Sequence, residues 1–199
     1  MSLSNTLTTL MDSARKHFEV SSKLTIANLI NLFNPNPNLL TGAKDFSGNW
    51  NLKGHSYENG TYKGLNVRTT EEAWNGISQS YQAQKGKTYT FSLYAKANAP
   101  LIARFYIIHP VTGQNYVSGS DGSRYITTSW ERYSITFSMT GNEIITPRME
   151  PGTENTSFSV CGFKLEEGSL ATPLTELGGE GVIRRYLTAI TPRLEVVAC

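Results

Sequence analysis

Charge is scarce in this sequence. Asp, Glu, Lys and Arg supply 17% of its 199 residues, and they nearly cancel, to a formal net charge of +2. A balance that small gives little electrostatic hold on nucleic acid or on an anionic membrane, and no Lys/Arg cluster with interleaved aromatics compensates. Cysteine is scarcer still, with Cys161 inside a strand-like run and Cys199 at the last position. Two such residues argue against a disulfide framework, and without a Cys-x-x-Cys pair they argue against a zinc site. No apolar run approaches the ~20 residues that a membrane helix needs. Met1-Ser2-Leu3-Ser4-Asn5 has no basic start and no apolar stretch behind it, so the expectation is synthesis in a cytoplasm without a signal peptide.

Catalytic patterns are missing as well. The sequence has no Gly-x-Ser-x-Gly, His-x-x-x-His or phosphate loop. His17, His55 and His109 are scattered through different segments, and no two share a ligand spacing. A glycosidase needs two carboxylates about 5–10 Å apart. Glu71, Glu72, Glu150, Glu166 and Glu167 are carboxylates beside turns or strand ends, where solvated charge is the default. The expectation is a protein that is not an enzyme and carries no cofactor or metal.

What is present is organised in three segments. In residues 1–37, Leu3, Leu7, Leu10, Met11, Ala14 and Phe18 recur at helical spacing, and Ile26, Leu29, Ile30 and Phe33 form a second, shorter stripe. Asn34-Pro35-Asn36-Pro37 ends it, because proline removes a donor and restricts the residue before it. Two helices this short are not stable alone and must pack on something. Leu7, Leu10, Met11, Ile26, Leu29 and Phe33 are the predicted contacts of a homo-oligomer, since two short helices cannot cover both stripes between them and an uncovered one would be an unusual apolar patch.

Residues 38–176 alternate with period two instead. In Lys87–Lys96, Tyr89, Phe91, Leu93 and Ala95 share one face, while Thr88, Thr90, Ser92 and Tyr94 share the other. Glu131–Met139 repeats the pattern with Tyr133, Ile135, Phe137 and Met139 inward. Leu101–Ile108, Tyr62–Arg68, Gly76–Gln82, Asn142–Met149 and Ser157–Leu165 are further strand candidates. Turn signals separate them at Glu58-Asn59-Gly60, Gln84-Lys85-Gly86, Asn98-Ala99-Pro100, Pro110–Gly113, Asp121-Gly122 and Thr140-Gly141-Asn142. Many short strands with no helical pattern between them predict a mainly β protein, an antiparallel jelly-roll β-sandwich behind a short N-terminal helical segment. Residues 177–199 open on glycines and then turn apolar, so they are expected to dock as a C-terminal tail.

"NLLTGAKDFSGNW" (Asn38–Trp50) resembles the entry strand of the carbohydrate-binding-module-like jelly rolls found in tail and baseplate proteins of tailed bacteriophages. "WNGISQSYQAQKGKTYTFSLYAKA" (Trp74–Ala97) is similar to their central hairpin, "TTSWERYSITF" (Thr127–Phe137) to their Thr-x-Trp-x-Arg-Tyr strand, and "FKLEEGSLATPLTE" (Phe163–Glu176) to their closing phrase. "LTTLMDSARKHFEVSSKLTIANLINLF" (Leu7–Phe33) resembles the short helical leader of phage tail-module proteins. The resemblance implies a virion structural protein whose partners are other virion proteins and whose module contacts a host cell-wall or surface polysaccharide. By analogy with threefold phage fibres it also implies a trimer. Structural calcium is common in similar modules, but no Asp-rich loop assigns it here.

Sugars are held by flat aromatic faces and planar polar side chains. Outside the inward parity stand Tyr94, Arg104 and Tyr106, with Trp74, Gln79 and Tyr116 expected nearby. The glycan-binding reading makes Trp74, Tyr94 and Tyr106 platforms and Arg104 and Gln79 donors on one sheet face. The competing reading has these aromatics facing a neighbouring subunit or packing under a loop. Trp50 and Trp130 are assigned to the core, although Trp130 departs from the parity of its own strand.

Overall fold

The computed structural model describes residues 3–18, 25, 36–52, 55–117 and 119–174. The chain divides into two compact units, one of Asn38–Ala171 and one of Met1–Pro37 with Thr172–Cys199. In the second unit, Leu3–Phe18 forms helix α1, with Met11 half-buried, Ala14 buried and Asp12 paired to Arg15. The predicted second stripe, with Ile26, Leu29 and Phe33, lies outside the described residues, as do residues 177–199 and the side chains of Leu7 and Leu10. Among the described residues no helix is long and apolar enough to cross a membrane.

The described residues of the Asn38–Ala171 unit form an antiparallel sandwich of nine strands: β1 (Tyr57–Tyr62), β2 (Leu65–Thr70), β3 (Tyr81–Ala83), β4 (Thr88–Ala97), β5 (Leu101–Ile108), β6 (Ser123–Ile126), β7 (Glu131–Ser138), β8 (Glu143–Pro151) and β9 (Phe158–Glu167). One sheet has the order β1-β2-β9-β4-β7 and the other β3-β8-β5-β6. The inward parity read from β4 holds, with Tyr89, Phe91, Leu93 and Ala95 all fully buried. Phe91 meets Phe105 of the opposite sheet edge-on at 5.8 Å. Burying such a side chain contributes about 2–3 kcal/mol.

Several expectations need correcting, each for a local reason. Tyr62–Arg68 is not one strand. It contains the turn of the β1–β2 hairpin, where Lys63 and Gly64 both take positive φ, 52° and 76°, the pattern of a type I′ turn. Glu58-Asn59-Gly60 is not a turn between strands but an irregularity inside β1, with the register shifting between Glu58 and Thr61. Gly76–Gln82 is mostly irregular, with a single bridge from Ser78 to Asn51 before the short β3. Trp74–Ala97 is not a hairpin either, because β3 and β4 belong to different sheets.

The last strand holds one more departure. Opposite β4 its register slips between Ser92 and Tyr94, at Gly162, whose φ is +63°. Phe158 and Val160 pair with the inward positions Ala97 and Ala95, whereas Leu165 pairs with Phe91. A β-bulge at a left-handed glycine therefore switches the buried parity from even to odd. A Cβ on Gly162 would stand 2.8 Å from Leu65 Cδ1, closer than packing permits.

Candidate functional site

Strand pairing sorts the predicted site residues onto two different surfaces. β4 lies in the five-stranded sheet and β5 in the four-stranded one, because the chain crosses between sheets at Asn98-Ala99-Pro100. Tyr94 is consequently on the opposite outer face from Arg104 and Tyr106, and it cannot share a site with them. There Tyr94 meets Tyr62 edge-on at 5.4 Å, Lys63 Nζ lies 4.7 Å from its ring centroid, and Arg132 lies over it. Trp130 joins this group rather than the core. It stacks on Tyr62 at 4.6 Å under Lys96, as its outward parity required. Trp50 does pack against the core, edge-on to Phe46 and Phe163 at 5.3 Å each.

Gln79 is not available as a ligand donor. It is buried, its Oε1 accepts from the Thr41 amide at 2.8 Å, and its Nε2 donates to the Thr41 carbonyl at 3.0 Å. Trp50 Nε1 donates to that same carbonyl. Gln79 is therefore a clasp that holds the entry segment on the sandwich. Tyr116 is half-buried and packed against the core.

The outer face of β3-β8-β5-β6 gathers the rest. Outward on β5 stand Ile102, Arg104, Tyr106 and Ile108, alternating with buried Ala103, Phe105 and Ile107. Tyr125 of β6 lies across from Ile102 and is 60% exposed. On β8, Arg148 lies across from Tyr106 and Glu150 across from Arg104. Arg148 donates through Nε to Glu150 and lies over the Tyr106 ring at 5.8 Å. A guanidinium gripped by a carboxylate and spread on an aromatic face has lost most of its freedom, and it arrives at a ligand pre-oriented.

Trp74 completes this face from a loop. The residue is 54% exposed, and its backbone takes the left-handed φ of +59°, a conformation that a bulky residue seldom holds without a reason. Two contacts seat the loop on β8. The Trp74 amide donates to the Pro151 carbonyl at 2.9 Å, and Gly76 lies so close that a Cβ there would be 2.7 Å from Glu150 Cγ. A Cβ on Gly152 would lie 3.8 Å from Trp74 Cη2, and Gly152 is itself bonded to the Ile102 carbonyl. The indole thus sits at the Ile102 end of the β5–β8 pair. Tyr106 marks the other direction, about 13 Å along the strand from Ile102 at ~3.3 Å per residue.

The carboxylates also depart from expectation. Glu150 and Glu166 are buried, not solvated. Glu166 pairs with Lys164 at 3.3 Å, both fully buried, and burial pushes the Lys164 ammonium down to about 8 although Glu166 opposes the shift. Glu71 accepts from Tyr57 and Ser157 hydroxyls, and His55 faces Glu72 at 2.8 Å. His109 Nδ1 accepts from the Val111 and Thr112 amides and shapes a turn. Among the described residues no three His, Cys, Asp or Glu side chains cluster as metal ligands.

Residues 40–151 match the model of a family described as a carbohydrate-binding domain. The chain belongs to that family. The solved structures it resembles include the CBM22-1 xylan-binding domain of Paenibacillus barcinonensis Xyn10C, at 18% identity and a TM-score of 0.54, covering 68% of this chain and 97% of that one. They also include the second N-terminal cellulose-binding domain of Cellulomonas fimi β-1,4-glucanase C, at 14% identity and a TM-score of 0.52, with the same coverage. At these identities the likeness is one of fold. No curated protein matches the sequence. The carbohydrate-binding domain thus spans the sandwich strands through β8, and the Trp74 loop, β5, β6 and the outward residues of β8 all lie within it.

The residues that sequence reasoning passed over on this face are Ile102, Tyr125 and Arg148, with Glu150 noted only as a carboxylate. Arg148 carried a usable signal, since it stands on the predicted strand Asn142–Met149 at the parity of Ile144, whereas Glu150 lies one residue beyond that strand and joins it only in the observed β8. Tyr125 carried little, because β6 is four residues long and follows directly on a 3-10 turn at Gly119–Gly122.

Proposed function

We infer that the protein is a carbohydrate-binding module that holds a glycan on the outer face of the four-stranded sheet. Trp74 and Tyr106 supply the stacking surfaces, Tyr125 extends them, and the Arg148–Glu150 pair and Arg104 supply the planar polar groups. The observation that carries this reading is Trp74, an exposed indole held in a strained backbone over a sheet face already furnished with an aromatic–guanidinium pair. Xylan- and cellulose-binding domains of the same fold motivate the first ligands to try. Isothermal titration with β-1,4-xylose and β-1,4-glucose oligomers tests it. Binding that weakens by an order of magnitude or more in Trp74→Gly and Tyr106→Ala supports the reading, and binding indifferent to both refutes the assignment of the face.

A finer placement is motivated by the sequence. The leader-like Leu7–Phe33 and the tail-module motifs of 38–176 favour a virion component of a tailed phage, in tail, baseplate or fibre, that uses the module on a host glycan and assembles as a homo-oligomer. A stand-alone module, or a decoration protein that binds no sugar, is the competing arrangement. Cryo-electron microscopy of particles carrying the labelled protein decides between them, and label that never appears on particles excludes the virion role.

A further inference from the structure

The polar groups on the outer face of the four-stranded sheet are unequal in charge. At the outward positions of β3, β5, β6 and β8 stand two arginines, Arg104 and Arg148, and one acid, Glu150. Glu150 is 6% exposed and is engaged by Arg148. Arg104 lies directly across from Glu150, yet its exposed guanidinium has no hydrogen bond or ion pair among the described residues. Its cross-strand neighbour on the other side, Ser123, carries only a hydroxyl. Among the described residues one cation is thus left uncompensated in the middle of the aromatic face, flanked along β5 by Tyr106 and Ile102 at about 7 Å each.

The geometry points to a glycan bearing a carboxylate, a uronic-acid polymer, as the ligand of this face. The inference rests on the reading that the face binds a glycan. When a pyranose lays its C–H face on a ring, a carboxyl group at C5 projects outward in the plane of the sugar. It then reaches a cation placed beside the platform, not beneath it, which is where Arg104 stands relative to Tyr106. The planar guanidinium accepts a carboxylate through two parallel N–H donors, a geometry that a hydroxymethyl group cannot fill. A neutral sugar leaves Arg104 hydrated and suffers no penalty, so the discrimination is a gain for the acid, about tenfold for one charge-assisted contact.

The test compares two oligomers of one linkage. The full chain is titrated with a β-1,4-linked glucuronic acid oligomer and with its carboxyl-reduced product, which is the β-1,4-linked glucose oligomer of the same length. The acid form is expected to bind about tenfold tighter at low salt, with the ratio shrinking as NaCl is raised. Arg104→Gln should bring the ratio to one, and Arg104→Lys should restore part of it. Equal affinity of the two oligomers for the wild type, or a preference that survives Arg104→Gln, overturns the acidic-ligand inference. If the neutral oligomer still binds in a Trp74-dependent way in that case, the glycan reading of the face stands. Binding of neither oligomer overturns both.

Discussion

Replacing Trp74 by glycine and by alanine separates what its backbone does from what its indole does. At a φ of +59° an L-residue pays about 1 kcal/mol for crowding between Cβ and the carbonyl, and glycine pays nothing. Glycine loses more chain entropy on folding, roughly 0.5–1 kcal/mol relative to alanine in ordinary elements. At a left-handed position, however, the alanine penalty is the larger one. The residue is more than half exposed, so both variants forfeit little buried area. Trp74→Gly is therefore expected to be more stable than Trp74→Ala by roughly 0.5 kcal/mol or more, the reverse of their usual order in a strand or helix. In urea, with m near 1–3 kcal/mol/M, this is a midpoint shift of about 0.2–0.5 M. Both variants lose the platform equally, and a truncated aromatic hot spot of about 2 kcal/mol weakens glycan binding roughly thirtyfold. Equal loss of binding with inverted stability is the expected pair of results. Alanine as stable as glycine, or more so, means that Trp74 does not hold the left-handed conformation in solution, and the case for a strained, purpose-built platform goes with it.

The buried Lys164–Glu166 pair makes Lys164→Met costly, by about 3–5 kcal/mol in urea denaturation, because the buried Glu166 carboxylate loses the ammonium it pairs with, whereas Lys164→Met/Glu166→Leu should recover most of that loss. Burial lowers the Lys164 ammonium from 10.5 to about 8, so between those pH values the unfolded chain binds a proton that the folded chain lacks. This group's contribution to stability accordingly rises with pH across that window, and the wild type should gain on the double variant from pH 8 to 10, where a loss would contradict the burial. Gly162→Ala should cost at least ~1–2 kcal/mol, from the left-handed φ and the close Leu65 methyl, and a neutral result in thermal unfolding would show that the bulge relaxes freely. Deleting residues 1–34 should convert the proposed homo-oligomer to monomer by light scattering. A full-length chain already monomeric at tens of micromolar refutes the assembly role of that segment.

Strand alternation was the most legible property of the chain. Where a strand keeps a clean period of two, as β4, β5 and β7 do, the buried residues could be named in advance. The misreadings came where one residue breaks the period. A Lys-Gly turn is chemically inconspicuous beside Asn-Gly, so Tyr62–Arg68 reads as one strand across it. The Asn59-Gly60 pair does look like a turn but sits in an irregular strand. The bulge at Gly162 breaks the inward parity of β9, since Phe158 and Val160 face inward on even positions and Leu165 on an odd one, so no single period runs the length of the strand.

The site was harder to read for a topological reason. Parity says which side of its own strand a residue occupies, but not which sheet the strand joins. Tyr94 and Tyr106 have the same outward parity and are close in sequence, yet they end on opposite surfaces because the chain changes sheets at Pro100. Only pairing supplies that information, and it also supplies what Arg104 is made of functionally. In sequence it is one arginine in an apolar strand. In the sheet it lies across from a carboxylate that β8 has already committed to Arg148. The uncompensated charge is thus a property of register. A slip of two residues between β5 and β8 would face Arg104 with Arg148 instead of Glu150, and a slip of one would turn its partner inward. The ligand preference proposed for this face therefore depends on the same cross-strand pairs that hold the sandwich together.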